Sequence, residues 1–262
     1  MSGQTGSVKR SDPDYLNQAA ATTAGRAYKR QMTEAMGLDA GHVVADIGCG
    51  TGVDLPAMAS LVGPDGAVIG VDADEIMVAE AQRRSTDVAG ISVRQGDAHA
   101  LPLGDSSIDR VRMERVTQHL LDPAAAFADV YRVVRPGGLF VVGDPDWDTL
   151  VIDDVDIATS RAYTRFVTTQ AVRNGSIGRQ LARLASDAGF EVCSVTTIPI
   201  LFTDRDFGEK ILGIDRVTGR AVKAGFITAE AAESWLNRLT RSPFTAAFTF
   251  FMVVARKPVL PS

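Results

Sequence analysis

The sequence has few cysteines, no long apolar segment and no excess of basic residues. Its two cysteines, Cys49 and Cys193, offer neither a disulfide framework nor the spacing of a metal site, so no metal is expected. The sequence contains no run of about 18 apolar residues, which a membrane span would need, and its N-terminus lacks the apolar region of a secretory signal. The net charge of -5 argues against nucleic acid as the partner, because proteins that bind it usually present a basic face. We therefore expect a cytoplasmic protein with no nucleic-acid and no membrane partner.

The residues that are present have the composition and the alternation of an α/β protein. The 262 residues are 45% hydrophobic and 23% charged, which suits one large domain. Short apolar runs alternate with helical patterns, which predicts a doubly wound, mainly parallel sheet. Its five predicted strands are HVVADI, AVIGVD, ISVRQGD, SIDRVRM and LFVVGD.

The second half of the chain is less regular, and IDDVDIATSRAYTRFVTTQAV (152–172) is predicted to be a helix. EVCSVTTIPI and TAAFTFFMVVARKP are predicted strands that close the sheet as a hairpin, and the residues between them, 203–242, are predicted to form two helices over the sheet. The whole pattern predicts a disordered tail over residues 1–14, an N-terminal helical cap over 15–37, and a main domain over 38–262 with a helical lid at about 203–242.

Three glycines follow the first predicted strand at alternate positions, in VVADIGCGTGVDLPAMA (43–59). A turn needs at most two of them, so the spacing indicates a ligand that approaches the backbone closely. A dinucleotide-binding loop would place its third glycine at Val53, and a phosphate-binding loop would continue with Lys-Ser or Lys-Thr. The ligand is therefore predicted to be something other than a pyrophosphate.

Four motifs in order, ADIGCGTG, GVDAD, GDAHALPLGDSSIDRV and RVVRPGG, resemble the class I S-adenosylmethionine-dependent methyltransferases. The similarity covers roughly residues 40–145 and is greatest to the ubiquinone/menaquinone C-methylase-like group, methyltransferase type 11, which includes many small-molecule enzymes. The resemblance implies a Rossmann-like sheet of seven strands, mostly parallel, with the last strand antiparallel. It also implies S-adenosyl-L-methionine as cofactor, S-adenosyl-L-homocysteine as product, and methyl transfer to O, N or C of a small, specialised-metabolite acceptor in a bacterium.

The resemblance also implies a cofactor site along the ends of the first three strands. Asp72 would accept from the ribose hydroxyls, as acids do in dinucleotide folds. Asp97 would accept from the adenine amino group, with the Ala98 N–H facing the ring, and Met77 is either an adenine contact or a core residue. The predicted cofactor-binding residues are Asp46, Gly48, Cys49, Gly50, Asp72, Ala73, Met77, Asp97, Ala98, Glu114 and Arg115.

The catalytic candidates come from the three histidines, because methyl transfer to a protonated nucleophile needs a base. His42 opens the first strand, away from the ligand, and His99 is predicted to be solvent-facing or packed. His119, in MERVTQHLLDP, resembles the histidine of phosphoethanolamine methyltransferases that pairs with a tyrosine of an N-terminal helix. We hypothesise that His119 and Tyr15 are catalytic, with Tyr28 as the alternative tyrosine partner; a structural role for His119 under the glycine loop is the other alternative.

The substrate pocket is predicted from the ends of the fourth and fifth strands. Carboxylates beside an indole in GDPDWDTL (143–150) could hold a cationic amine, Trp147 could instead plug the base of the cap, and Arg115 could hold an anionic group. The predicted pocket residues are Tyr28, Gln118, Asp144, Asp146 and Trp147.

Three alternatives share this fold. A methyltransferase-fold cyclase would use the cofactor structurally or couple methylation to ring closure. A quinone C-methylase would need a long apolar groove, and a binding module would hold the cofactor without turnover. A homodimer through the N-terminal helix is also possible.

Overall fold

A computed structural model describes residues 23–241 and 243–259, with the side chains of residues 23–27 excepted. Tyr15 and the predicted tail therefore lie outside the described residues. No helix within the described ranges is long and apolar enough to cross a bilayer.

The described chain forms one seven-stranded sheet in the order β3-β2-β1-β4-β5-β7-β6. The first five strands are parallel, and β7 lies antiparallel between β5 and β6. The predicted fold class, with its antiparallel last strand, is confirmed. The strands are β1 (Val43–Ile47), β2 (Ala67–Asp72), β3 (Ile91–Gln95), β4 (Ile108–Glu114), β5 (Val134–Ile152), β6 (Glu191–Phe202) and β7 (Ala246–Arg256).

The helices cover both faces of this sheet, and their starts follow from local sequence. Asp74 caps one helix by accepting from Ile76 N, and Asp122 caps another by accepting from Ala125 N, with Pro123 in its first turn. The helices are α1 (Thr23–Ala35), α2 (Leu55–Val62), α3 (Glu75–Ser85), α4 (Pro123–Val133), α5 (Ile157–Phe166), α6 (Leu181–Asp187), α7 (Arg205–Leu212), α8 (Ile214–Lys223) and α9 (Ala229–Leu239).

Two helix predictions needed correction. The insertion contains three helices, α7 to α9, because Gly213 adopts a left-handed φ of 62° and separates α7 from α8 where one helix had been expected. The helix expected over residues 152–172 is shorter, since β5 continues to Ile152 and α5 passes into a single π-helical turn, Val167–Ala171.

The core has two parts, one on each face of the sheet. On one face α1, α2, α5 and the insertion enclose Met32, Tyr163 and Trp235. On the other face α4 and α6 enclose Phe127 and Phe140. Strands β5 and β7 continue past the end of β4, so they form a wall beside the carboxyl edge of the sheet. The insertion packs against β6 through α7 and against α5 through α8 and α9.

Candidate functional site

The glycine loop follows β1 and is folded as only glycines readily allow. Gly48, Gly50 and Gly52 have φ angles of 71°, 54° and 71°. A Cβ atom at Gly48 would collide with the side chain of Val116, and one at Gly52 would lie 2.9 Å from the Ala81 Cβ of α3. Two of the three glycines are therefore required by close packing within the protein. The residue directly against Gly48 is Val116, not His119.

The side chain of Cys49 packs against β2, next to the loop. Its backbone N donates to Val71 O at 3.1 Å, and its Sγ occupies the space that a Cβ at Gly70 would need, at 2.9 Å. Burial raises the pKa of the Cys49 thiol, so it stays protonated.

Asp72 joins the glycine loop to α3. Its Oδ2 accepts from Gly50 N at 2.8 Å and its Oδ1 from Asp74 N at 2.9 Å, while the residue stays partly exposed. A carboxylate has further lone pairs, so these bonds orient Asp72 and leave acceptor capacity. Nearby, Ala73 is exposed and Met77 is buried in α3.

Asp97 and Ala98 lie in a tight turn after β3, in which Ala100 N donates to Asp97 O. Asp97 Oδ1 accepts from His99, and no described residue contacts Oδ2 with a hydrogen bond. Ala98 is buried, yet its N–H donates to no described residue. Buried N–H groups nearly always have a partner, so this one fits a ligand acceptor.

A buried charge cluster occupies the carboxyl ends of β1 and β4. Arg112, 3% exposed, donates to both oxygens of Asp46 at 2.8 Å and to Asp54 at 2.9 Å. Lys29 of α1 bonds Asp54 at 2.6 Å and Glu114 at 3.0 Å. Tyr28, also of α1, donates to Glu114 at 2.8 Å. This arrangement ties the N-terminal helix to the strand ends beside the glycine loop.

The charges of the cluster depend on one another. Burial lowers the pKa of Arg112, but Asp46 and Asp54 raise it well above its usual value, so the guanidinium stays charged. Burial would raise the pKa of Glu114, but Lys29 and Arg112 lower it below the usual value. Burial raises the pKa of Asp46 even beside Arg112, so Asp54 and Glu114 are the carboxylates whose negative charge the two cations stabilise.

A second network holds the short 3-10 turn Thr117–His119, which follows β4. Asp144, wholly buried, accepts from the backbone N and the hydroxyl of Thr117. Asn174 Nδ2 donates to Thr117 O and Leu120 O, each at 2.8 Å. The turn is thus fixed by residues that lie far from it in the chain.

The remaining side chains of this network are also occupied. Trp147 Nε1 donates to Gln118 Oε1 at 2.8 Å, and Gln118 Nε2 donates to Arg115 O at 3.2 Å. Asp146 is wholly buried and bonded to Arg179. Of the predicted pocket residues, Gln118, Asp144, Asp146 and Trp147 therefore make buried bonds within the protein, and Tyr28 joins the charge cluster.

His119 is presented by this fixed turn. The residue is exposed, yet partial burial of its ring and the nearby Arg115 lower its pKa to about 4. The imidazole is therefore neutral at pH 7, and it is a weaker base than an ordinary histidine until a bound acceptor changes its surroundings. Arg115 has an unusual backbone φ of 58°, and its N donates to Gly143 O at 2.8 Å.

Comparison with known proteins places this architecture in a family. A family model described as a methyltransferase domain matches residues 45–142. A relative named as an uncharacterized 37.1 kDa protein in transposon TN4556 of Streptomyces fradiae is 50% identical over 92% of this chain and 70% of its own length. An arsenite methyltransferase from Halobacterium salinarum is 31% identical over 66% of this chain, which spans 45% of that relative.

The chain belongs to the class I S-adenosylmethionine-dependent methyltransferases. Solved structures share its fold: an S-adenosylmethionine-dependent methyltransferase from Aquifex aeolicus has a TM-score of 0.56 at 17% identity, covering 95% of this chain and 100% of that one. The [4+2]-cyclase SpnF has a TM-score of 0.58 at 21% identity, covering 90% of this chain and 82% of SpnF. As a member of this family, the enzyme uses S-adenosylmethionine as its cofactor.

The residues of this methyltransferase fit that cofactor. The partnerless Ala98 N–H and the open Asp97 oxygen offer a donor and an acceptor to a nucleobase, and the charged carboxylate of Glu114 suits a cationic methionine group. Sequence reasoning missed the residues that hold the site together, which are Lys29, Asp54, Arg112, Thr117, Asn174 and Arg179. Arg112 gave no distinct signal either, because Asp109, Arg110 and Glu114 are also charged residues of its strand.

Proposed function

We propose that this methyltransferase transfers the methyl group of S-adenosylmethionine to an O, N or C atom of a small organic acceptor of specialised metabolism. The observation that carries the proposal is the fixed 117–119 turn, which presents a neutral imidazole at the carboxyl end of β4. An arsenite methyltransferase and a demethylmenaquinone methyltransferase are among the relatives, and both names describe small acceptors.

In this proposal the cofactor lies across the carboxyl ends of β1 to β4. Asp72 accepts from the ribose hydroxyls, while Asp97 and the Ala98 N–H bond the adenine edge over Met77. The glycine loop faces the methionine portion, with Glu114 and its charge cluster supplying the negative charge that a sulfonium and an ammonium favour.

His119 acts in this proposal as the base for an acceptor that carries a proton. Tyr28 supports the site differently: its hydroxyl donates to Glu114, and burial raises the pKa of its phenol, so it remains protonated. Helix α1 and the insertion α7–α9 would close over the acceptor as cap and lid, within the division 15–37 and 38–262 predicted from the sequence.

A methyl-transfer screen tests this proposal. Hydroxyl-, amine- and quinone-bearing acceptors are incubated with S-adenosylmethionine, and mass spectrometry detects the methylated product and S-adenosylhomocysteine together. We expect His119→Ala to lower kcat about 100-fold or more for a protonated acceptor, without changing cofactor affinity. His42→Ala, at the opposite end of β1, is the matched control. An unchanged kcat in His119→Ala would contradict the assigned role.

Ring closure is the alternative outcome of the same screen. The fold also serves a [4+2]-cyclase, so a cyclised product that forms without S-adenosylhomocysteine would replace methyl transfer as the function.

A further inference from the structure

His99 connects the turn after β3 to the start of α4. Its Nδ1 lies 2.5 Å from Asp97 Oδ1, and its backbone N donates to the same oxygen at 2.9 Å. On the other side of the ring, Nε2 accepts from Asp122 N at 3.3 Å. Asp122 itself caps α4, so the ring is anchored on a rigid helix start. Sequence reasoning had expected a solvent-facing or packed ring.

These partners fix the proton of the His99 ring. A backbone N–H can only donate, so Nε2 must be the unprotonated, accepting nitrogen. The neutral ring then carries its proton on Nδ1, where it points at Asp97. One histidine thereby binds an acceptor and a donor that belong to two different elements of the fold.

The bonds from His99 restrict the side chain of Asp97, which is 68% exposed and would otherwise rotate freely. Both donors from His99 bind Oδ1, and Oδ2 is left without a partner among the described residues. The backbone N–H and then the ring of His99 lower the pKa of Asp97, so the carboxylate is charged and can only accept. Fixing one oxygen orients the other before a ligand arrives, which reduces the entropy lost on binding.

We propose that His99 is a positioning residue for cofactor recognition: it holds Asp97 so that Oδ2 accepts from the amino group of adenine and rejects a base with an oxygen there. This inference rests on the adenine site proposed above. Discrimination follows because an acceptor facing an acceptor leaves both groups unpaired once the bound base covers the carboxylate.

The test is calorimetric titration of S-adenosylhomocysteine and of S-inosylhomocysteine, which carries a carbonyl in place of the amino group. Four variants are compared with the wild type. His99→Asn keeps a nitrogen donor near the Nδ1 position, whereas His99→Gln places it near Nε2 and His99→Ala removes it. His42→Ala is the matched control, because His42 also accepts from a backbone N–H, that of Asp39, at the distant end of the sheet.

We expect the wild type to prefer S-adenosylhomocysteine by about 10-fold or more. His99→Ala and His99→Gln should lower this preference about 3- to 10-fold by weakening the adenosine ligand alone, whereas His99→Asn and His42→Ala should retain most of it. A purely structural role would weaken both ligands equally, so an unchanged ratio in His99→Ala overturns the proposal. If the wild type bound S-adenosylhomocysteine and S-inosylhomocysteine equally well, the Asp97 site and this inference would both be overturned. If it bound neither ligand, the proposed cofactor groove itself would be wrong.

Discussion

The two ends of the proposed cofactor groove are built from different kinds of contact. At the adenosine end the contacts are short in sequence: Asp72 bonds Asp74 and Asp97 bonds His99, each two residues along the chain, and the bonds of Asp72 to Gly50 and of His99 to Asp122 span 22 and 23 residues. At the methionine end, Arg112 bonds Asp46 across 66 residues. Lys29 likewise bonds Glu114 across 85 residues.

This difference predicts which substitutions alter ligand binding and which alter the stability of the fold. Local turns at the adenosine end are exposed and can change without disturbing the core, so substitutions there should alter ligand affinity more than stability. The methionine end forms only when α1, β1 and β4 have assembled, so its charges are part of the folded core. Substitutions there should affect stability first.

Arg112→Met should show the largest effect. It leaves Asp46 buried without a cation and leaves Asp54 and Glu114 with Lys29 alone, and removing one partner of a buried pair costs about 3–5 kcal/mol. Denaturant unfolding followed by circular dichroism measures the loss. Arg183→Met is the control, because Arg183 is 62% exposed in an ion pair with Asp187 and should change stability by less than about 0.5 kcal/mol. Equal losses in the two variants would show that the charges of the methionine end contribute no more to stability than an exposed ion pair does.

Asp144→Asn should change how stability depends on pH. Burial raises the pKa of Asp144 to about 7, whereas the unfolded value is near 3.8. The folded state thus binds a proton more tightly, and this contribution to stability is lost as pH rises from about 4 to 7, by at most roughly 4 kcal/mol.

The asparagine keeps an acceptor for Thr117 but does not titrate. The difference in the free energy of unfolding between wild type and variant should therefore change with pH over that range. Unfolding free energies measured from pH 4 to 8 give the difference curve. Asp187→Asn, at a carboxyl group that is 64% exposed, should give a flat one. A flat curve for Asp144→Asn as well would mean that the buried carboxyl group is ionised throughout.

Asp74→Ala should show the smallest effect. It removes the side chain that caps α3 through Ile76 N at 2.8 Å, which costs about 1 kcal/mol. Asp74→Ser retains a capping oxygen and should recover most of the loss in thermal unfolding. A loss as large as that of Arg112→Met would show that the adenosine end is as tightly coupled to the core as the methionine end.

What the sequence predicts follows the same division. Neighbouring residues encode the glycine loop, Asp72, the capped start of α4 and the succession of strands and helices along the chain. Pattern and spacing therefore suffice to find them. Gly213 is a local signal of the same kind, because a glycine can end a helix, but one continuous helix was predicted across it.

Long-range partners could not be inferred in this way. Alternation puts Asp144 and Asp146 on one face of β5, but which face looks toward a substrate depends on the packing of the 117–119 turn and of Arg179. Asn174 gave no signal at all, because its role exists only after Thr117 and Leu120 have been brought to it.

The central claim is that S-adenosylmethionine binds at the carboxyl ends of β1 to β3 with Asp72 on its ribose. Calorimetric titration of S-adenosylmethionine into the wild type, Asp72→Ala and the exposed control Asp87→Ala tests it most directly. The account predicts micromolar binding to the wild type and to Asp87→Ala, and a loss of at least about 10-fold in Asp72→Ala with the fold intact. Equal affinity in all three proteins, or no binding to the wild type, would contradict it.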